Sequence, residues 1–244
     1  MILLFCIGCF LFSGLTTNVL ATEGVIINKK GVRVGFLAYS AIVSTGSIAT
    51  LKMPGVAPAW PEKRLGGDIK RLKSNADIVF VSFHWGEERS YRPSKHQTYL
   101  AKYAIDSGAD IVAGHHPHVL QGIQIYMGKP VVYSLGNFVF MPPKDEQNET
   151  VLVEFMVRVH MTRGADGAEG DERRTGDVSA NIESVIVRPG YIHSGQPRLA
   201  SGDRAKKILT MLRDLCNELK TKLVVDEQYK YARIDVGDEE APAK

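Results

Sequence analysis

Two stretches decide the fold: Ile78-Val79-Phe80-Val81-Ser82-Phe83-His84-Trp85-Gly86-Glu87-Glu88, and Ile111-Val112-Ala113-Gly114-His115-His116-Pro117-His118. Each opens on a short continuous apolar run, the signature of a strand buried on both faces. Between them Pro93 opens a helical pattern in which Leu100, Ala101, Ala104 and Ile105 share one face, and Gly108 stops it. Upstream, Val25-Ile26-Ile27 and Val32 to Tyr39 read as strands joined by a polar turn at Asn28-Lys29-Lys30-Gly31. Ser44 to Ala59 is loop-like. Pro61 then suits the first turn of a helix whose Leu65, Ile69 and Leu72 recur at helical spacing, with Lys63, Arg64, Lys70, Arg71 and Lys73 outward. Downstream, Ile123 to Tyr126 and Val131 to Leu135 pair across Met127-Gly128-Lys129-Pro130. Strand, helix, strand, helix, strand and a strand pair define an α/β domain with a partly parallel sheet.

The remainder of the chain extends this plan. Val151 to Met161 and Ile182 to Val187 read as antiparallel partners. Between them Thr162 to Asp177 is rich in Gly, Asp, Glu and Arg, has no apolar period, and reads as a flexible loop. Asp203 is expected to cap a last helix, with Ala205, Ile208, Leu209, Leu212, Leu215 and Leu219 as its buried stripe. Gly237 to Lys244 reads as a disordered tail.

Composition narrows the function classes. The chain has 244 residues, 44% hydrophobic and 23% charged, which suits one large domain with a real core. Its formal net charge of +3, with no long basic run, argues against a nucleic-acid partner. Three cysteines cannot build a disulfide framework; Cys216 reads as a small apolar packing residue, and Cys6-Ile7-Gly8-Cys9 lacks a second pair. Ile2 to Phe12 is apolar, and Val19-Leu20-Ala21 resembles a cleavage site, so residues 1–21 read as a secretory signal, which would place the protein on the extracellular side. No Lys or Arg precedes Lys29, and the apolar core is shorter than the ~20 residues that span a bilayer, so a marginal membrane anchor or a spurious start stay open beside it.

Chemistry concentrates at the strand ends. Of seven histidines, His84 directly follows one buried strand, and His115, His116 and His118 follow the other. Sites in open α/β sheets form outside the carboxyl ends of the strands, so two neighbouring ends would deliver imidazoles to one edge. Pro117 disfavours helix at His116 and holds the segment extended or turned, so His116 and His118 can present ring nitrogens toward a common centre. Neutral imidazole is the commonest transition-metal ligand. Glu87 or Glu88 could orient an imidazole, bind metal or act as an acid or base. Arg89 and Arg92 lie near enough to meet an anionic substrate. Ser134-Leu135-Gly136-Asn137-Phe138 interrupts an apolar run that resumes through Phe140. It is either a bulge that aims Asn137 at something specific or a turn asparagine in a left-handed conformation.

Three motifs now stand in order: Phe83-His84-Trp85-Gly86-Glu87-Glu88, Gly108-Ala109-Asp110-Ile111-Val112-Ala113-Gly114-His115-His116-Pro117-His118-Val119-Leu120-Gln121, and Tyr133-Ser134-Leu135-Gly136-Asn137-Phe138. Together they resemble the CapA family of poly-γ-glutamate capsule biosynthesis, over about residues 22–223. That family is similar to the calcineurin-like metallophosphoesterases. The resemblance implies a partial metallophosphoesterase-like αββα sandwich with a mixed sheet. It implies His84, His116 and His118 as metal ligands, with His115 in the glycine slot of a Gly-His-x-His pattern and able to touch substrate. His115, Glu88 and Asn137 become candidate catalytic residues, and Arg89 and Arg92 candidate substrate-binding residues. The cofactor would be a divalent metal (Mn, Fe or Zn), as one or two ions.

The chain also departs from the phosphoesterase pattern, whose strand-end Asp, Gly-Asp and Gly-Asn motifs are absent upstream of Val25. The resemblance therefore implies an N-terminally truncated domain with an incomplete two-ion shell. A complete relative would clamp a substrate oxygen between two ions and activate a bridging water. Here a single ion on three imidazoles is the expectation, with weak metal binding and low or no hydrolysis. The implied partners are an anionic polymer, or a phosphoester or γ-glutamyl substrate, and a membrane synthesis complex. The competing readings are a non-catalytic polyanion-binding or accessory protein, and a fragment with no function of its own.

Overall fold

The computed structural model describes residues 2–5, 23–50, 52–141, 145–161 and 178–237. In chain order these form β1 (Ile2–Phe5), β2 (Val25–Lys29), β3 (Val32–Ser40), α1 (Glu62–Lys73), β4 (Ile78–His84), α2 (Lys95–Asp106), β5 (Ile111–His115), β6 (Ile123–Tyr126), β7 (Lys129–Val132), β8 (Glu149–Met161), β9 (Val178–His193), β10 (Gln196–Leu199), α3 (Gly202–Glu218), β11 (Val224–Val225) and β12 (Ala232–Asp235). The expected flexible loop, the C-X-X-C pair and the residues flanking Ala21 lie outside the described residues, as does all but the first residue of the expected tail.

One sheet runs β2-β3-β4-β5-β7-β6. Its four inner strands β3, β4, β5 and β7 are parallel, and the outer two, β2 and β6, are antiparallel to their neighbours. This is the α/β fold with a mixed sheet that the sequence implies. α1 and α2 return the chain between successive parallel strands and cover one face. Their Leu65, Ile69, Leu72, Leu100 and Ala104 pack on Val79, Val81, Phe83 and Val112. Each Leu, Ile, Val or Phe side chain among them contributes ~1.5–3 kcal/mol when fully buried.

The other face packs against the second sheet, ordered β1-β8-β9-β12-β11 with β10 beside β9. Phe80 bridges the layers: its ring lies 5.8 Å from Phe36 in its own sheet and 6.2 Å, edge-on, from Phe155 of β8. α3 adds Ala205, Ile208, Leu209 and Leu212 to this inter-sheet core, the stripe its periodicity predicts. α1 and α2 thus form one outer layer, and α3 shares the core between the sheets.

At the amino ends of the strands, buried Asp110 closes the sheet. Its carboxylate accepts from Lys73 (2.5 Å), Lys129 (2.8 Å) and the Val79 backbone N–H (2.9 Å). Three donors satisfy a carboxylate that would otherwise be costly to bury. At the carboxyl ends, Trp85 is wholly buried. Its ring stacks on Phe83 at 4.6 Å, and its indole N–H donates to the Tyr133 carbonyl at 2.9 Å.

Several boundaries differ from the sequence expectation. α2 begins at Lys95 rather than at Pro93, because Ser94 and Gln97 form a reciprocal capping box. Ser201, not Asp203, occupies the N-cap of α3. No strand resumes at Phe138 to Phe140: Gly136, at φ +73°, turns the chain after a single bridge to Thr150. The folded unit continues past Leu223, since β12 pairs with β9 and buries Ala232, Ile234 and Val236. Outside these boundaries, Ile2–Phe5 adds an edge strand antiparallel to Val153–Met156 of β8.

Two glycines give opposite predictions. A Cβ on Gly114 would lie 2.1 Å from Trp85 Nε1 and 2.2 Å from the Tyr133 oxygen, both fixed by their mutual hydrogen bond. Gly114→Ala is expected to cost more than ~3 kcal/mol, as overpacking with backbone displacement does. Exposed Gly67, inside α1 with nothing near its would-be Cβ, should stabilise as Gly67→Ala by about 1 kcal/mol. Urea denaturation of the two variants beside the parent checks both signs.

Candidate metal centre

Parallel pairing sets the site. β4 and β5 align His84 directly opposite His115, and β3 brings Ser40 opposite His84. All three are strand-terminal, so the backbone beyond them is free to turn. The chain after β4 turns through Gly86 (φ +86°) and Arg89 (φ +63°); after β5 it turns through His116 (φ +98°) and His118 (φ +59°). Left-handed conformations are uncommon for residues with a Cβ, and those at functional sites are stabilised by their surroundings. Here the two turns brace each other. Trp85 N–H donates to the His115 carbonyl (3.0 Å), and Arg89 N–H to the Pro117 carbonyl (2.7 Å).

These turns gather the side chains. The His84 and His116 rings are 4.6 Å apart, and the His116 and His118 rings 5.7 Å apart. Donor atoms of Glu88, His116 and His118 all lie within 4.8 Å of one another, the one such cluster among the described residues. His116 and His118, two of the three histidines expected as ligands, therefore meet with Glu88 as a third donor, and His84 lies against the His116 ring just outside that cluster. Two to four nitrogen and oxygen donors at this spacing suit a divalent transition metal.

The environment favours neutral imidazole. Burial, then His116 and His118, lower the His84 pKa to about 4. Burial lowers that of His116, with His118 adding to the shift and Glu88 opposing it. Neutral rings offer lone pairs, as a metal requires. Asn137 settles the tautomer of His118. Its Oδ1 can only accept, so the 2.7 Å contact puts the proton on His118 Nδ1 and leaves Nε2 as the donor to a metal. The amide is held in that sense by its own Nδ2, which donates to the Gln147 carbonyl at 3.0 Å. Asn137 is thus aimed, as the interrupted strand suggested, with Gly136 as the turn that aims it. Phe140 stacks over His118 at 5.3 Å, a contact no sequence pattern announces.

The other candidate residues fall elsewhere. His115 lies beside His84 but deeper, fully buried, with Nε2 lacking a hydrogen-bond partner. It lines a void of about 10 Å³ with Phe80, Ala113, Val132, Leu135, Val153 and Phe155. Arg92 is tied to Glu218 of α3 by two bonds of 2.7 and 2.8 Å. Arg89 is exposed next to the Pro117 turn.

An α/β protein of two packed sheets with an imidazole–carboxylate cluster at the carboxyl ends of its parallel strands is the class these observations define. The chain belongs to the family described as bacterial capsule synthesis protein PGA_cap, whose model matches residues 11–142. It is 42% identical over 134 residues to the capsule biosynthesis protein CapA of Bacillus anthracis, covering 54% of this chain and 33% of that protein. It is 40% identical over 188 residues to the PGA biosynthesis protein CapA of Bacillus subtilis, covering 77% and 44%. A probable polyglutamine synthesis accessory protein of Mycobacterium tuberculosis is 30% identical over 159 residues, covering 53% and 42%. The chain spans less than half the length of each of these relatives.

The buried histidines give the metal-free protein an acid-side instability. His84 and His115 both have folded pKa values near 4 against 6.5 in the unfolded chain. Below pH 6.5 the unfolded chain takes up protons that the native state refuses, so stability falls from there to about pH 4 and then levels. His115→Leu removes one of the two contributions and an unpaired buried nitrogen, so it should shrink the fall and be neutral or stabilising at pH 7. Thermal melts in EDTA across pH 4–8 check this.

Proposed function

We propose that the chain is a metal-binding, phosphoesterase-like unit that serves the synthesis of a poly-γ-glutamate or similar capsule polymer. The observation that carries the reading is the meeting of the His116 and His118 imidazoles with the Glu88 carboxylate at one strand-end rim, with the His84 ring beside His116. Family membership and the names of the Bacillus relatives supply the biological setting.

His84, His116, His118 and Glu88 would hold a Mn, Fe or Zn ion. Such an ion supplies Lewis-acid polarisation of a carbonyl or phosphoryl oxygen. The chain's own residues do the rest. His118 stays in the Nδ1-protonated tautomer through Asn137. Phe140 stacks on one face of the His118 ring. Exposed Arg89 stands at the rim, where a guanidinium attracts an anionic chain. Arg92, already neutralised by Glu218, contributes less.

A second reading is supported by the donor count. Three imidazoles and one carboxylate suit one ion, and one ion can grip an anionic polymer without cleaving it. The unit would then act as a polymer-binding accessory of a synthesis complex. The two readings separate on one assay: hydrolysis of phosphoester and γ-glutamyl substrates that stops with EDTA and returns with Mn²⁺ supports the enzyme. Metal-dependent retention of polyglutamate without turnover supports the accessory.

The shared metal reading predicts a single divalent ion per chain. His116→Ala should lower affinity by more than ~100-fold, exceeding the ~10–100-fold that loss of an outer partner costs. Asn137→Leu should fall inside that smaller range. Metal content after dialysis, read by elemental analysis, checks both; unchanged content in His116→Ala contradicts the reading.

A further inference from the structure

The loop from Gly86 to Ser94 carries Glu88, has no regular structure, and yet must hold one carboxylate against two imidazoles. Two glutamines lie under it. Gln97 and Gln121 are 1% and 0% exposed, the most deeply buried amides in the described residues. Gln97 Nε2 donates to Gln121 Oε1 at 2.9 Å. Gln121 Nε2 donates in turn to two loop carbonyls, Ser90 at 2.8 Å and Arg92 at 3.2 Å. Gln97 Oε1 accepts from the Ser94 N–H at 2.9 Å, at the loop's far end. At its near end the same Gln97 amide leaves no room for a Cβ on Gly86, which would lie 2.6 Å away. One pair of side chains therefore touches the loop at its start, at two points within, and at its end.

We propose that Gln121, supported by Gln97, is a positioning residue that sets the reach of Glu88 to the metal. Glu88 sits between the points the pair fixes and the Arg89 N–H, which is bonded to the Pro117 carbonyl of the histidine turn. Gln121 itself follows His118 by three residues and shares a backbone bond with Ser134, so it is anchored to the histidine side of the site. It joins the carboxylate-bearing loop to the imidazole-bearing turn. Buried amides make this join directional, because every donor and acceptor must be satisfied in one arrangement. An apolar pair of similar volume would fill the space without fixing the loop.

This inference rests on the metal reading above, and its test separates the two. Mn²⁺ and Zn²⁺ affinities are measured by calorimetry on the full chain for the parent, Glu88→Gln, Gln121→Met and the Glu88→Gln/Gln121→Met double variant, with melts in EDTA to report folding. Gln121→Met is expected to weaken binding ~10–100-fold, the range for outer partners of a metal site. The double variant should bind no more weakly than Glu88→Gln alone, because Gln121 acts through Glu88. A merely structural role would lower the melting temperature and leave the affinity of the folded protein unchanged. Gln121→Met affinity within twofold of the parent, or losses that add in the double variant, overturn the proposal. If Gln121→Met does not fold, Gln97→Met, which removes the support of Gln121 and the Ser94 contact, enters the same cycle with the same criteria. A parent chain that binds neither ion overturns this proposal and the metal reading together.

Discussion

Parallel pairing of β4 with β5 is the constraint on which the rest depends. It puts His84 opposite His115 at the last rung of the sheet, and from that rung two turns fold over the same edge. A shift of one residue would send His84 to the helix-covered face, since strand side chains alternate. The register is enforced from both sides. Phe80 and Ile111 must face the second sheet, and Val79, Val81 and Val112 the helices. Gly114 then lets the Trp85 indole and the Tyr133 carbonyl meet over the strand end. The geometry of the candidate metal centre is in this sense a by-product of core packing.

The turns beyond that rung carry local strain. His116, His118 and Arg89 all take left-handed backbone conformations, at a cost on the order of 1–3 kcal/mol each where they are sparsely populated. The backbone bonds from Trp85 to His115 and from Arg89 to Pro117 hold them, and the buried Gln97–Gln121 pair holds the loop between. Strain, close-packed glycine and buried amides occur together where chemistry-bearing side chains must converge. Elsewhere the sheet ends in ordinary fashion, with Asp110 and its two lysines closing the opposite edge.

Much of this was legible in the sequence because it follows from periodicity. The buried runs at Ile78 and Ile111, the helical stripes of α1 and α3, and the placement of four histidines at strand ends needed no coordinates. What was not legible depends on distant contacts. Glu88 rather than Glu87 joins the imidazole cluster, in a loop whose Arg89 N–H is bonded to the Pro117 carbonyl. Asn137 reaches His118 because Gly136 turns the chain, where the apolar run Phe138 to Phe140 promised a strand. His115 looks like its neighbours in sequence, yet the pleat puts it in the apolar core beside Phe80 and Phe155. Arg92 is occupied by Glu218, 126 positions away. Gln121 ends the second of the three motifs, yet nothing in the sequence gives it a role, and Gln97 stands in none of them.

The central claim is that His84, His116, His118 and Glu88 bind one ion together. X-ray absorption at the metal edge of the zinc-loaded chain tests it most directly. The account predicts a first shell of imidazole nitrogens with a carboxylate oxygen near ~2.0–2.1 Å, and loss of the imidazole scattering in steps as His84, His116 and His118 are replaced singly by alanine. A spectrum that lacks imidazole scattering, or that stays the same in all three variants, would contradict it.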